Sequence, residues 1–365
     1  MKIGFVVKGL TFFKAFGSII EEAQKTNGIT PIIFYYTGDY SKKYDCIKPH
    51  LFPERLSGIK KIAFNSCKSL PRLFKRYDVR WFVGLVAQTK YADILSPLKA
   101  QGIKICSVSN FTDGFWINRV TKNAVQKIDL MCYQSKYALD FHKKYLGING
   151  KNCIIAGAPT IDGVNLIKDK QAIKQYGLPK KYCLVMLPNI RKTHYKSCFG
   201  GTGRFIGIMK NLHEAASNQS IQLVAKSRVK QWFPKEVKKY FARIILDEAY
   251  YPSTTLLLMH DAINVVYFNG SSIFEAFACG KYAININMNM NYSIGSRSKG
   301  FAEYYSKNGP YNTDGVVKTI SGDIIDEIRD EMGKQLNSKR SAYFAQTFCP
   351  TENSAKIILS EILKR

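Results

Sequence analysis

Ser271, Ser272 and Glu275 fall within five consecutive residues of the stretch DAINVVYFNGSSIFEAFACGKYAINI, residues 261–286, a spacing that suits a phosphorylated ligand. Two hydroxyls at a helix start lie beside backbone N–H groups that have no partner within the helix, and the helix dipole favours negative charge there. A carboxylate one turn on can accept hydrogen bonds from a sugar diol, although compensation of the dipole alone also explains Glu275. Cations complete such a set. Arg191, Lys192 and Lys226 follow or end apolar runs that read as strands, at the carboxyl edge where parallel sheets bind anions. For Arg191 and Lys192 a solvated surface loop is the other reading. Asp113, on the polar loop SNFTDGFW (residues 109–116), and His194 are the candidate proton acceptors for a reacting hydroxyl. An Asp-Gly turn accounts for Asp113 equally well, and His50 is a weaker candidate because a lone histidine is commonly structural.

The elements that must position these residues are legible as apolar runs. Residues 262–268 have the length and β-branched or aromatic content of a buried strand. Asn269-Gly270 turns the chain, Ser271-Ser272 stand at an N-cap, and Gly280 stops the helix before a second strand at 282–286. Earlier strands are expected at 2–7, 30–36, 81–86, 104–108, 128–133 and 152–156, with helices between them at 11–24, 91–100 and 135–145. The charged stretch 169–181, with Gly177 and Pro179, reads as a linker. The pattern restarts at YCLVML (182–187), followed by the cationic, glycine-bearing loop 188–203, a helix at 205–216 and a strand at 221–225. An acidic helix at 323–336 and a last helix at 352–364 close the chain. The expected class is therefore α/β, with two Rossmann-like domains.

The 365 residues suffice for two ordinary cores, and 46% apolar content is globular. No apolar run has the length of a membrane span, and MKIGFVVKGL turns polar too soon for a signal peptide, so a cytoplasmic protein is expected. The nine cysteines are scattered without a C-x-x-C pair, which favours reduced thiols over zinc. The net charge of +27, of which +17 precedes Lys181, calls for an anionic partner unless it reflects coding bias. Residues 59–81 interleave Lys60, Lys61, Lys68, Arg72, Lys75, Arg76 and Arg80 with bulky apolar side chains, as a segment lying on anionic lipid does. A helix with a solvated basic face is the alternative, and Pro71 interrupts any long helix.

The order Asp261, Ser271-Ser272, Glu275-Ala276, Gly280 resembles the nucleotide-binding unit of the GT-B superfamily. Residues 129–162 are similar, element by element, to the end of the first GT-B domain: a strand, Ser135, a helix, a short strand, then Gly157-Ala158-Pro159 and Asp162. The resemblance covers nearly the whole chain as a pattern. It implies an acceptor-side domain over 1–168, a linker over 169–181, a nucleotide-donor domain over 182–345 and a terminal helix, 346–365, that crosses back to the first domain, the two domains facing a cleft.

Within that superfamily the resemblance implies a metal-independent glycosyltransferase that uses a nucleotide-sugar donor and needs no further cofactor; no D-x-D motif is present. Arg191, Lys192, Lys226, Ser271 and Ser272 would hold the diphosphate and Glu275 the ribose. Asp113 would serve as base in an inverting displacement, in cell-surface polysaccharide or glycolipid synthesis at the inner membrane face. UDP-N-acetylglucosamine 2-epimerases share the pattern but carry His-x-Glu-Ala-Gly where this chain has residues 107–114, and an acid where it has Val86-Ala87-Gln88. Teichoic-acid glycerophosphotransferases share the serine pair but have a His-Pro that is missing from residues 225–229. A basic protein that binds or modifies nucleic acid is the remaining class.

Overall fold

In a computed structural model, the structure describes residues 1–38, 47, 49–86, 91–108, 122–229, 231–247, 249–288, 303–304, 306, 309–350 and 353–365. The chain divides into two compact units: Met1–Gly163 with Ala249–Ser253 and Gln346–Arg365, and Val164–Glu248 with Thr254–Ala345.

The first unit is built on seven strands: β1 Lys2–Val7, β2 Thr30–Tyr36, β3 Lys60–Phe64, β4 Trp81–Gly84, β5 Lys104–Val108, β6 Leu130–Tyr133 and β7 Cys153–Ile155. They form one sheet in the order β3-β2-β1-β4-β5-β6-β7, every pair parallel. β1 and β4 are apolar and almost wholly buried because helices cover both faces of a parallel sheet. Edge strand β3, KKIAF, is only half-buried and carries Lys60 and Lys61, charges that discourage pairing with another chain.

This strand revises the reading of residues 59–81. They form β3 and then a short helix, Leu70–Arg76. Phe64, Leu70, Phe74 and Trp81 are core residues, while Lys60, Lys68, Arg72, Lys75, Arg76 and Arg80 are exposed. What the segment offers to a surface is mainly charge, with its largest apolar groups already spent on the sheet.

Helix Phe12–Lys25 carries a charged cluster that fastens a distant piece of chain. Gly17 faces the Tyr251 ring so closely that an added Cβ would stand 2.2 Å from Tyr251 Cγ. One turn on, the Glu21 carboxylate accepts hydrogen bonds from the Tyr251 hydroxyl at 2.6 Å, Lys25 at 2.8 Å and the Arg55 guanidinium. Burial works to raise the Glu21 pKa, but the hydrogen bonds from Arg55, Lys25 and Tyr251 outweigh it and hold the group at about 2. The terminal helix, Ser354–Lys364, belongs to this unit too. Its first turn is capped by Asp162, whose carboxylate accepts from the backbone N–H of Ser354 at 3.1 Å and of Ala355 at 2.9 Å.

The second unit has six parallel strands: β8 Tyr182–Met186, β9 Gln222–Ser227, β10 Arg243–Leu246, β11 Val265–Tyr267, β12 Ala283–Ile286 and β13 Val317–Ile320, ordered β10-β9-β8-β11-β12-β13. Helix Thr202–Ser217 buries Phe205, Ile208, Met209 and Leu212 against one face. The segment 169–181, expected to be a linker, contains helix Gln171–Tyr176, and Asp261 caps it by accepting from the backbone N–H of Lys170 at 2.9 Å and of Ile173 at 3.2 Å. Asp261 thus serves a helix start. Among the described residues no helix is long and apolar enough to cross a membrane, and the eight cysteines there are free thiols.

Candidate functional site

In the second sheet β9 lies on one side of β8 and β11 on the other, so the winding reverses between β8 and β11. The connections leave these two strands toward opposite faces, and the crevice at their carboxyl ends is where such sheets take ligands. Ser271 and Ser272 follow β11, and Arg191, Lys192 and His194 follow β8. The fold therefore brings five of the sequence-derived candidates to one edge of one sheet.

On the β11 side, Asn269 has a φ of +40°, a left-handed conformation uncommon for a residue with a side chain. Gly270 and Ser271 lead into helix Ser272–Ala278. Ser271 occupies the N-cap position, but its side chain makes no capping bond; the Ser271 carbonyl accepts from Phe274 N–H at 3.1 Å instead. Glu275 stands in the first turn and is 4% exposed. The helix is fixed through its apolar side, where the Phe277 and Phe344 rings lie 4.6 Å apart. Burial first, and then the negative charge of Glu275, push the Cys279 thiol far up, so that thiol stays protonated.

Sequence reading did not find what holds the Asn269 turn. Asn285, fully buried at the end of β12, accepts from Asn269 N–H at 2.8 Å and donates to Asn269 Oδ1 at 3.1 Å and to Thr319 Oγ1 at 3.1 Å. Asn269 Nδ2 in turn donates to the Met288 carbonyl at 3.0 Å and to Asn287 Oδ1 at 3.4 Å. Three neighbouring strand ends are laced by amides. The asparagines at 285 and 287, alternating with Ile286 and Met288, were the available signal. Replacing Asn285 with Ala strands the Asn269 N–H and its amide oxygen, so about 2 kcal/mol of stability should be lost. Chemical denaturation checks this; an unchanged midpoint would show that the turn holds itself.

On the β8 side, Arg191 and Lys192 are exposed, and a 3₁₀ turn, Lys192–His194, runs into helix Tyr195–Phe199. The loop after β9 braces this one. Gln231 Nε2 donates to the Ile190 carbonyl, the Tyr195 and Trp232 rings meet edge-on at 5.0 Å, and the Lys192 ammonium lies 5.4 Å from the Trp232 ring centre. His194 is half-buried in the same turn.

Lys226 is placed differently from its neighbours in sequence expectation. It is buried, and its ammonium donates to the Ser227 carbonyl at 2.8 Å and the Asp247 carbonyl at 2.9 Å, with the Asp247 carboxylate at 3.6 Å. A cation so engaged in tying β9 to the end of β10 serves the fold first. Asp113 lies outside the described residues. Among the described residues no three His, Cys, Asp or Glu side chains converge as a metal-binding group.

No family model matches the chain, and no curated protein matches it. Solved structures do. The chain is similar over its whole length to UDP-GlcNAc 2-epimerase from Neisseria meningitidis bound to UDP-GlcNAc, at 15% identity and TM-score 0.64, covering 100% of each chain. It is likewise similar to UDP-GlcNAc 2-epimerase from Methanocaldococcus jannaschii, at 14% identity and TM-score 0.65, over 100% of this chain and 99% of that one. A variant of the wall teichoic acid polymerase TagF matches at 14% identity and TM-score 0.61, over 100% of this chain and 88% of that one. Identities this low speak for architecture alone, and they agree with the two parallel sheets and the strand orders above: the chain has the GT-B fold.

Proposed function

We propose that the protein is a glycosyltransferase of the GT-B type that moves a sugar from a nucleotide-sugar donor to a hydroxyl acceptor. The observation that carries this reading is the convergence of Ser271, Ser272, Arg191 and Lys192 at the β8/β11 switch point, with Glu275 one turn into the following helix. Two exposed cations and the serine hydroxyls suit a diphosphate, which needs its growing charge stabilised as it leaves. Glu275 suits the ribose diol. Structures of the same fold that bind UDP-GlcNAc support a nucleotide-sugar ligand.

In the reaction a base takes the proton of the acceptor hydroxyl, the new C–O bond forms at the anomeric carbon, and the bond from that carbon to the diphosphate oxygen breaks. We assign the base to Asp113, with His194 as the alternative, and infer inversion because one base suffices for a single displacement. Asp113→Asn should lower kcat by about 10²- to 10⁴-fold with donor affinity retained. Near-normal turnover would move the base to another residue. No metal is assigned a role, in keeping with the missing D-x-D pattern.

We further infer that the reaction serves cell-surface polysaccharide or glycolipid synthesis at the cytoplasmic face of the membrane. The exposed cations between Lys60 and Arg80 support contact with anionic lipid, each worth about 1 kcal/mol near such a surface. The deciding experiment incubates the protein with radiolabelled UDP-, CDP- and GDP-sugars and membrane extract. Label moved to extract supports transfer. Conversion of UDP-GlcNAc to its C2 epimer without acceptor would replace this reading with epimerisation, and binding to DNA alone would replace it with the nucleic-acid reading.

A further inference from the structure

We propose that Lys8 forms a second anion subsite, at the carboxyl edge of the first sheet, for a phosphate group on the acceptor. Its assignment to the acceptor rests on the transfer reading; the subsite itself does not.

The first sheet has its own point of reversal. β2 lies on one side of β1 and β4 on the other. Lys8 is the residue immediately after β1, so the sequence places an ammonium at the mouth of that crevice. Two tyrosine rings fix it there. Its Nζ lies 4.6 Å from the ring centre of Tyr91, which is fully buried, and 5.8 Å from that of Tyr36, at the end of β2. Ring faces attract a cation without neutralising it, and among the described residues Lys8 has no carboxylate partner.

Among the described residues, no carboxylate at the strand ends balances this charge. The described residues that directly follow the other strands are Thr37 and Gly38, Asn65 and Ser66, Leu85 and Val86, Gln134 and Ser135, and Ala156 and Gly157, all of them uncharged. Among the described residues at the strand ends, Lys8 is thus the one charged group, half-buried between two rings, and an anion there would gain a charge-assisted contact at partial exclusion from water. Phosphate fits better than carboxylate at a compact ammonium, which acts as a point charge and not as a planar fork.

The test is calorimetric titration of inorganic phosphate into the full chain at low salt, with UDP saturating, for wild type, Lys8→Gln and Lys8→Arg. Wild type and the arginine variant should bind phosphate, and the glutamine variant should bind it at least about tenfold more weakly while keeping its thermal midpoint. Saturable binding that survives in Lys8→Gln within twofold, or no saturable binding to wild type, overturns the subsite. Glucuronate bound as tightly as phosphate, and lost in the same variant, overturns the phosphate assignment. If Lys8→Gln does not fold, a salt series on wild type decides, since affinity that ignores ionic strength excludes a cation. UDP that fails to bind overturns the transfer reading alone, because the phosphate comparison can then be run without it.

Discussion

Glu275→Ala should weaken nucleotide binding by about 10- to 100-fold and leave the thermal midpoint of the unliganded protein close to that of wild type. The magnitude is that of one charged hydrogen bond, ~1.5–3 kcal/mol, at tenfold per 1.4 kcal/mol. Folding should tolerate the change because helix Ser272–Ala278 is anchored by Ile273, Phe274 and Phe277, and alanine is a better helix former than glutamate. Calorimetric titration with UDP measures the first effect and a thermal melt the second. Unchanged affinity would return Glu275 to its helix as a carboxylate that only offsets the dipole. A collapse of stability with affinity lost in proportion would make it a core residue.

Gly17→Ala is expected to be the most damaging small substitution in the first unit. The new Cβ would meet Tyr251 Cγ at 2.2 Å, Cδ2 at 2.4 Å and Cβ at 2.8 Å, atoms at the base of the side chain that cannot swing aside. Either helix Phe12–Lys25 shifts or Tyr251 leaves, and with it goes the hydrogen bond to Glu21. Overpacking and the lost bond together come to ~3–5 kcal/mol. Tyr251→Ala should remove most of the penalty of Gly17→Ala, so the double variant should be clearly more stable than additivity allows. Additive losses would mean that the two residues do not share one contact.

The same cluster sets an acid limit. Glu21 is held at about 2 in the folded protein, below its ordinary 4.5. A depressed carboxylate contributes stability that is complete above the unfolded value and fades as pH falls from there toward 2. Melts between pH 5 and 2.5 should therefore show a steeper fall for wild type than for Glu21→Gln, which has no proton to take up.

The apolar strands were legible because a parallel sheet covered on both faces writes itself as unbroken runs such as KIGFVV and YCLVML. Three strands escaped for the opposite reason. β3 is an edge strand whose lysines made its surroundings read as an interfacial segment, and β10, RIIL, and β13, VKTI, are short, half-exposed edge strands. Ser135 was read as a helix start, and its hydroxyl does accept from Ala138 N–H at 3.2 Å. Asp261 and Asp162 were read from their order along the chain, yet both carboxylates cap helices distant in sequence. Nothing local announces such a partner. The Asn269–Asn285 pairing was hidden for the same reason, since a cross-strand amide contact depends on register that only the folded sheet reveals.

Hydrogen exchange of the full chain with and without saturating UDP tests whether the β8/β11 edge holds the nucleotide. Slowed exchange should concentrate at residues 269–275 and 190–194, the two loops at the β8/β11 edge, and Glu275→Ala should reduce the change at a UDP concentration that just saturates the wild type. Exchange that UDP leaves untouched at both loops, or slows only elsewhere, would contradict nucleotide binding there.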